Sequence, residues 1–100
     1  VDRVTLPHET MPKYFAWNAY CTVLTSLHKV EEAIAACSMA MAFEPRKWSA
    51  VNNRGTAKFV AGQYEAALAD YQVALSMVDE ANIRARGTIE HNIDLAMASQ

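Results

Sequence analysis

The residues of this chain that could perform chemistry are few and far apart. His8, His28 and His91 never come within the three- or four-residue spacing that places two imidazoles on one helical face. Glu31 and Glu32 are adjacent, so their carboxylates face different directions near a predicted helix N-terminus, where negative charge is favourable. No GxSxG, HExxH or glycine-rich phosphate-binding motif occurs. The sequence therefore predicts no enzymatic activity, no metal site and no cofactor.

Length, composition and charge restrict the fold and the partners. A chain of 100 residues forms one domain, and 52% hydrophobic residues with only three glycines and three prolines favour long helices over many short strands. The net charge is −2, and no basic run is longer than Arg46-Lys47, which argues against nucleic-acid binding through clustered cations. No stretch approaches the ~18 apolar residues of a membrane span. We expect an all-α domain that binds no nucleic acid and does not insert into a membrane.

Five helices are predicted, over residues 12–27, 30–43, 47–61, 64–78 and 83–98. Pro12 suits the first turn of a helix, because its missing N–H needs no partner there. In the last helix, apolar residues such as Ile89 and Ile93 recur at the spacing of one helical face. Residues 1–11, which contain Pro7 and show no period, are predicted to form an extended N-terminal arm.

The sequence repeats itself with an offset of 34 residues. Ala33 and Ala40 of the second predicted helix align with Ala67 and Ala74 of the fourth. Two alanine matches mean little in an alanine-rich chain, but the residues around them align as well. The further pairs at this offset are Ala16/Ala50, Asn18/Asn52, Thr22/Thr56, Glu31/Glu65, Ile34/Leu68, Ala35/Ala69, Met39/Val73, Met41/Leu75 and Phe43/Met77. A repeated helix pair is therefore predicted.

With this period the chain resembles the tetratricopeptide repeat family, whose unit is a 34-residue helix-turn-helix. Counted from Tyr14, the first unit has the family's residues at Trp17, Ala33, Ala40 and Pro45. The second unit is more specific and has them at Gly55, Gly62, Tyr64, Ala67, Tyr71 and Ala74. Cys21, Cys37 and Asp79 depart from the pattern, because the family prefers Gly, an aromatic residue and Pro at these three places.

The resemblance implies an all-α fold of about five helices, in which antiparallel helix pairs stack as a short right-handed superhelix. It divides the chain into an N-terminal arm at 1–11, a first repeat at 12–47, a second repeat at 48–81 and a capping helix at 82–100. A terminal helix with a polar outer face closes the apolar side that a stacked array leaves open. The implied core is Trp17, Leu24, Leu27, Ile34, Met41, Leu68, Tyr71 and Leu75, with alanines at the closest helix contacts.

The resemblance also brings the two cysteines together. In the family's helix pair, the place of Cys21 faces the region that contains Cys37 on the next helix. Two interpretations stay open: two small buried hydrophobic residues, as free cysteines usually are, or a disulfide that closes a loop of about 16 residues and stabilises the fold by ~3 kcal/mol. A disulfide would indicate an oxidising compartment. Together with a start at Val1 rather than Met, it favours an exported or periplasmic protein over a cytoplasmic one.

Arg54 and Asp70 are charged residues at places where the repeat register points toward the contact between the third and fourth helices. The place of Arg54 is normally apolar in the family. We expect the two residues to form an ion pair across the helix pair, with the aliphatic stem of Arg54 covering apolar surface.

The functional feature that the resemblance implies is a groove. In the family, the first helix of each repeat lines a concave surface, where side-chain amides suit a bound peptide because they both donate and accept hydrogen bonds. Asn53 matches the place from which such repeats bind a peptide main chain. For each predicted groove residue, the alternative is a solvated side chain on a helix surface with no ligand. The predicted groove residues are Asn18, Thr22, Asn52, Asn53, Thr56 and Phe59.

The predicted function is a non-catalytic protein–protein interaction module that binds a peptide or protein segment in this groove. Binding of the acidic C-terminal tails of cytosolic chaperones is not expected. Only Asn53 fits the clamp that recognises those tails, and Asn18, Ile83 and Gly87 stand where the clamp needs cations. The alternative is a self-association module, a homo-oligomer built through the exposed ends of the array.

Overall fold

Five helices make up the part of the chain that the structure, a computed structural model, describes: residues 7–100, with side chains from Glu9 onward. In chain order they are α1 (Pro7–Ser26), α2 (Val30–Phe43), α3 (Trp48–Val60), α4 (Tyr64–Met77) and α5 (Ile83–Ser99). The prediction of an all-α fold with five helices is confirmed, and α2 has the predicted bounds. Among the described helices, none has the length and apolar composition that a membrane span requires.

The first helix starts earlier than the sequence indicated. α1 begins at Pro7 rather than Pro12, so the last part of the predicted extended arm is helical instead, while residues 1–6 lie outside the described residues. Both prolines suit a first turn, but Pro12 lies inside the helix, where it removes one backbone hydrogen bond. A tertiary contact helps to offset this loss, because the Thr10 hydroxyl donates to the carboxylate of Glu44 beyond the far end of α2.

The turns within the two helix pairs have the same geometry. His28 follows α1 with a φ of 60°, and Gly62 follows α3 with a φ of 80°, both in the left-handed region. In each turn, two backbone N–H groups bond back to carbonyls of the last helical turn, an arrangement known as the Schellman motif. The bonds are His28 to Thr25 and Lys29 to Leu24 in the first turn, and Gly62 to Phe59 and Gln63 to Lys58 in the second. This motif reverses the chain within three residues, so the paired helices run antiparallel.

Each helix packs against the next one in sequence, and α3 also contacts α1 and α5. The helices α1, α3 and α5 therefore form one layer, and α2 and α4 form a second layer that packs against it. The Cα trace measures 52 × 33 × 18 Å, and its short dimension is close to two layers of helices about 10 Å thick each. Helix α3 is the centre of the arrangement.

The core is built largely from alanine. Among the described residues, nine alanines are buried. The four that define the 34-residue repeat have no exposed surface at all: Ala33, Ala40, Ala67 and Ala74. Because a methyl side chain lets two helix backbones approach closely, alanine rather than leucine at these positions makes the tight stacking possible.

The larger predicted core residues have several environments. Leu24 and Tyr71 are buried, at 3% and 2% exposure. Five others are partly buried against the core, as is Trp48: Trp17, Ile34, Met41, Leu68 and Leu75. Leu27 was wrongly predicted to be in the core, since it is 59% exposed. It follows the last residue of α1 on a face that no described helix covers.

The two cysteines form a disulfide between α1 and α2. Cys21 and Cys37 are bonded, with their Cα atoms 5.2 Å apart, and both are fully buried. The disulfide interpretation is therefore confirmed. Because the bond joins residues separated by 16 positions, it fixes the first helix pair as a unit.

Candidate binding surface around α3

Three polar side chains connect α1 to α3. The Asn18 amide nitrogen donates to the Ser49 hydroxyl at 3.2 Å, and the Asn53 amide nitrogen donates to the Asn18 side-chain oxygen at 2.9 Å. All three residues are half-buried. A side-chain amide has two donor hydrogens and an oxygen with two lone pairs. The network therefore orients both amides and leaves them further capacity to bond a ligand.

A cleft of about 300 Å³ adjoins this network where α1 meets the start of α3. Phe15 is 57% exposed, and its ring meets the Tyr14 ring edge-on with the centroids 5.4 Å apart. The Lys47 ammonium lies 6.0 Å from the centre of the Tyr14 ring. This α1/α3 cleft combines aromatic, amide and cationic groups, and its lining residues are Tyr14, Phe15, Asn18, Arg46, Lys47, Trp48 and Ser49.

Tyr14 holds the start of α3 in place behind the cleft. Its hydroxyl oxygen accepts the Ala50 N–H at 3.1 Å, which provides a partner for one of the backbone donors that a helix N-terminus leaves free. The residue is 1% exposed, and burial raises the pKa of its hydroxyl above the ordinary value of 10.0. Tyr14 is therefore a positioning residue for the cleft.

Two of the predicted groove residues have other surroundings. Asn52 is 7% exposed, and its side-chain oxygen accepts a hydrogen bond from the Asn92 amide nitrogen at 3.0 Å. It ties α3 to α5 and has little surface to offer a ligand. Thr22 is exposed one turn beyond Asn18, and its hydroxyl donates to the Asn18 backbone carbonyl. Of these two, only Thr22 remains accessible beside the amide network.

Thr56 and Phe59 line a second, smaller cleft of about 190 Å³ between α3 and α5, together with Tyr71, Asn92 and Leu95. The hydroxyl oxygens of Thr56 and Tyr71 lie 2.9 Å apart and share a hydrogen bond. Burial raises the pKa of the Tyr71 hydroxyl. Phe59 is half-buried and packs edge-on against the Tyr64 ring at 5.3 Å. Of the predicted groove residues, Asn18 therefore lines the α1/α3 cleft, whereas Thr56 and Phe59 line this second cleft between α3 and α5.

The predicted ion pair is present and has a third member. Arg54 donates to both carboxylate oxygens of Asp70 at 2.9 Å, and the Lys58 ammonium lies 2.9 Å from one of them. The bond to Asp70 raises the pKa of the Arg54 guanidinium. Asp70 is 5% exposed, and Arg54 also reaches the Ser38 hydroxyl on α2 at 3.5 Å. This cluster joins α2, α3 and α4 and has a structural role.

Sequence reasoning missed Lys58 and Asn92. Lys58 follows Arg54 by four residues, so helical spacing alone could have shown that both cations face Asp70. Asn92 gave no such signal, because it meets Asn52 across 40 residues of chain through the packing of α5 on α3.

No family model, no curated protein and no solved structure matches this chain. A functional assignment therefore depends on the fold and on the geometry of the two clefts. The established frame is a five-helix all-α domain in which neighbouring helices pack antiparallel, with a disulfide in the first pair.

Proposed function

We propose that this domain is a non-catalytic protein–protein interaction module of the tetratricopeptide type, which binds an extended peptide or protein segment across α1 and α3. The observation that carries the proposal is the α1/α3 cleft, which is lined by the exposed ring of Phe15 and by Asn18, whose amide bonds to that of Asn53. An extended segment needs both kinds of contact, because its backbone requires hydrogen-bond partners and its side chains require pockets.

The geometry of the repeat supports the tetratricopeptide assignment. Helices α2 and α4 each contain 14 residues and begin 34 positions apart, at Val30 and Tyr64. The left-handed turn residues His28 and Gly62 have the same offset. Stacked pairs of this kind curve into a superhelix with an extended concave binding surface. In this chain, the helices that would line that surface are α1, α3 and α5.

Charge narrows the class of ligand. Arg46 and Lys47 line the α1/α3 cleft at the start of α3, whose first turn contains no acidic residue. Two cations beside a helix N-terminus favour a segment with a carboxylate. The proposal does not include cytosolic chaperone tails, because Asn18, Ile83 and Gly87 still stand where their clamp needs cations.

Peptide selection followed by titration tests the proposal. A displayed library of random peptides is selected on the wild-type domain, and each selected peptide is titrated against variants by calorimetry. Asn53→Ala and Phe15→Ala are each expected to weaken binding about tenfold, which corresponds to about 1.4 kcal/mol. Phe15 is a better choice than Phe59, because Phe15 is 57% exposed, whereas Phe59 packs against a core cluster and its truncation would disturb the fold.

Val73→Ala is the matched control for these variants. Val73 is 51% exposed on α4 and lines neither cleft, so its truncation is expected to leave the Kd unchanged. The proposal is contradicted if no peptide is enriched, or if the selected peptides bind all three variants as tightly as the wild type.

We also propose that the protein works in an oxidising compartment, as an exported or periplasmic protein. The Cys21–Cys37 disulfide supports this location, because reducing systems keep most cytosolic thiols unpaired. Protein recovered from its native cells under conditions that block thiol exchange should contain the disulfide, whereas two alkylated cysteines per chain would contradict the proposed location.

A further inference from the structure

A row of exposed apolar residues runs along α1 on a face that no described helix covers. Ala16, Tyr20, Val23 and Leu27 are separated by four, three and four residues, which places them on one side of a helix. Tyr20 is 48% exposed, Val23 53% and Leu27 59%. None of the four is charged. We call this row the α1 stripe.

The equivalent face of α3 is largely covered by another helix of the protein. At an offset of 34 residues, the counterparts of the α1 stripe are Ala50, Arg54, Ala57 and Ala61. Ala50 and Ala57 have no exposed surface. Helix α2 covers this face, since Ala57 shares a core cluster with Cys37, and Arg54 donates to the Ser38 hydroxyl. The fold thus demonstrates that this face of the first helix in a pair packs against another helix.

The residue types of the α1 stripe also indicate a contact surface. At the positions equivalent to Arg54, Ala57 and Ala61 of α3, the α1 stripe has Tyr20, Val23 and Leu27. Each of these exposed residues is more apolar or larger than its counterpart in α3. Single apolar residues are ordinary on protein surfaces, but a contiguous row marks an interaction site.

The far side of the domain provides no matching apolar row. α5 exposes Ile83, Leu95 and Met97, but the exposed charged residues Arg84, Glu90 and Asp94 lie between them in the helix. Head-to-tail docking would bury these charges against apolar side chains, which is costly. The α1 stripe of one copy is instead complementary to the α1 stripe of another, and such an isologous contact closes as a dimer.

We propose that the α1 stripe is a self-association surface, on which a second copy of this chain docks through its own α1 stripe to form a twofold dimer. With 3.6 residues per turn, the α1 stripe lies about a third of a turn from Phe15 and about half a turn from Asn18, so the dimer leaves the α1/α3 cleft open. The proposal is independent of peptide binding in that cleft. Because one helix per copy makes the contact, the interface belongs to the small class, below about 1,200 Å², and the dimer is weak.

Sedimentation equilibrium of the full chain tests this proposal over protein concentrations from about 5 to about 500 µM, the range in which a weak dimer forms. The weight-average mass of the wild type is expected to rise from the 11.1 kDa of the monomer toward twice that value. Val23→Glu places a charge in the contact and is expected to weaken association at least about tenfold. Val73→Glu is the control, because Val73 has a similar exposure, 51%, on α4, and the same change there should leave the mass curve unaltered.

Leu27→Lys is a second variant, which guards against misfolding as an explanation. A cation is favourable at the C-terminal end of a helix, so this variant should keep its circular dichroism spectrum and also remain monomeric. A wild type that stays monomeric at the highest concentration overturns the proposal, as does equal association of Val23→Glu and Val73→Glu. Growth of the mass beyond that of a dimer also overturns it, because it would indicate head-to-tail stacking.

Discussion

The glycines of this chain show how backbone conformation and space act separately at single residues. Gly62 has a φ of 80°, and a Cβ added to it would meet no atom within 4 Å. Gly87 also faces open space but has a helical backbone inside α5. Gly55 is helical too, and a Cβ added there would lie 2.8 Å from the Tyr71 ring. Comparing the first two therefore isolates the cost of the left-handed conformation.

We predict opposite effects on stability for alanine at Gly62 and at Gly87. Gly62→Ala should lower the free energy of unfolding by about 1 kcal/mol, because an L side chain is strained in the left-handed region. Gly87→Ala should raise it by about 0.5–1 kcal/mol, because alanine loses less backbone entropy in a helix than glycine does. Urea denaturation followed by circular dichroism measures both. If the two variants shift in the same direction, the turn geometry assigned to Gly62 is wrong.

The two buried tyrosines predict how stability depends on alkaline pH. Burial raises the pKa of both Tyr14 and Tyr71 in the folded protein, so the unfolded chain releases these protons first. Their contribution to the free energy of unfolding is therefore fully present below pH of about 10, the ordinary tyrosine pKa, and is lost as the pH rises through the folded-state values. The wild type should lose stability steadily in this alkaline range.

The double variant Tyr14→Phe/Tyr71→Phe separates this effect from other alkaline titrations. Near pH 8 it should be less stable by about 1–2 kcal/mol per site, because the partners Ala50 N–H and Thr56 hydroxyl lose a hydrogen bond. Above pH of about 10, its stability should fall less steeply than that of the wild type. Urea denaturation at a series of pH values gives both slopes, and parallel slopes would refute the assignment.

At the scale of elements, the disulfide replaces side-chain volume as a source of stability in the first helix pair. In the second helix pair, Gly55 and Tyr71 stand 34 residues after Cys21 and Cys37. In the first pair, the bond between the two cysteines closes a 16-residue loop instead. The first helix pair is thus held by a covalent link and alanines, whereas the second is held by Tyr71 and by the Arg54, Lys58 and Asp70 cluster.

We predict that removal of the disulfide by Cys21→Ala/Cys37→Ala lowers the free energy of unfolding by about 3 kcal/mol, because the unfolded chain regains the freedom of the loop. Addition of a reductant should destabilise the wild type and leave the double variant unaffected, which separates bond loss from the change of side chain. Urea denaturation with and without reductant provides the measurement. Two reactive thiols per chain in unfolded, unreduced wild type would show that the bond does not form.

The repeat made most helix bounds predictable, and a tertiary contact explains the exception. α2 lies between the Lys29 turn and Pro45, and these local signals determine both of its ends. The start of α1 depends on more than the local preference of Pro12. Residues before this proline are helical, and the contact from Thr10 to Glu44 supports them across 34 residues of chain. Local sequence rules do not contain that contact.

The same distinction applies to the candidate site. The register of a helix pair determines which positions face each other, so the pairing of Arg54 with Asp70 was predictable. The register also placed Asn18 and Asn53 on one surface, although not the bond between them. Burial of Asn52 depends on how α5 lies against α3, which a two-unit repeat does not determine. The sequence therefore could not show that Asn52 is buried rather than accessible in a groove.

At the scale of the whole molecule, α5 closes the array and completes its larger core cluster. Ala85, Ile89 and Ala96 are buried against residues of α4 that include Tyr71 and Ala74. Without α5 these apolar surfaces would face solvent, as the α1 stripe does on the other side. The domain therefore has one side closed by its own last helix and another side whose apolar row remains exposed.

We predict that the five helices unfold as one unit and that α5 is part of it. Ile89→Ala should lower the free energy of unfolding by about 2–4 kcal/mol, because it leaves a cavity where the wild-type side chain is fully buried. Ile83→Ala, on the same helix at 79% exposure, should change it by less than about 0.5 kcal/mol.

The fluorescence of Trp17 and Trp48 reports on α1 and α3, and circular dichroism reports on all five helices. In Ile89→Ala both signals should move to the same lower urea midpoint, because two-state unfolding couples every helix. If the circular dichroism midpoint falls while the fluorescence midpoint stays, α5 unfolds on its own and the array does not depend on it.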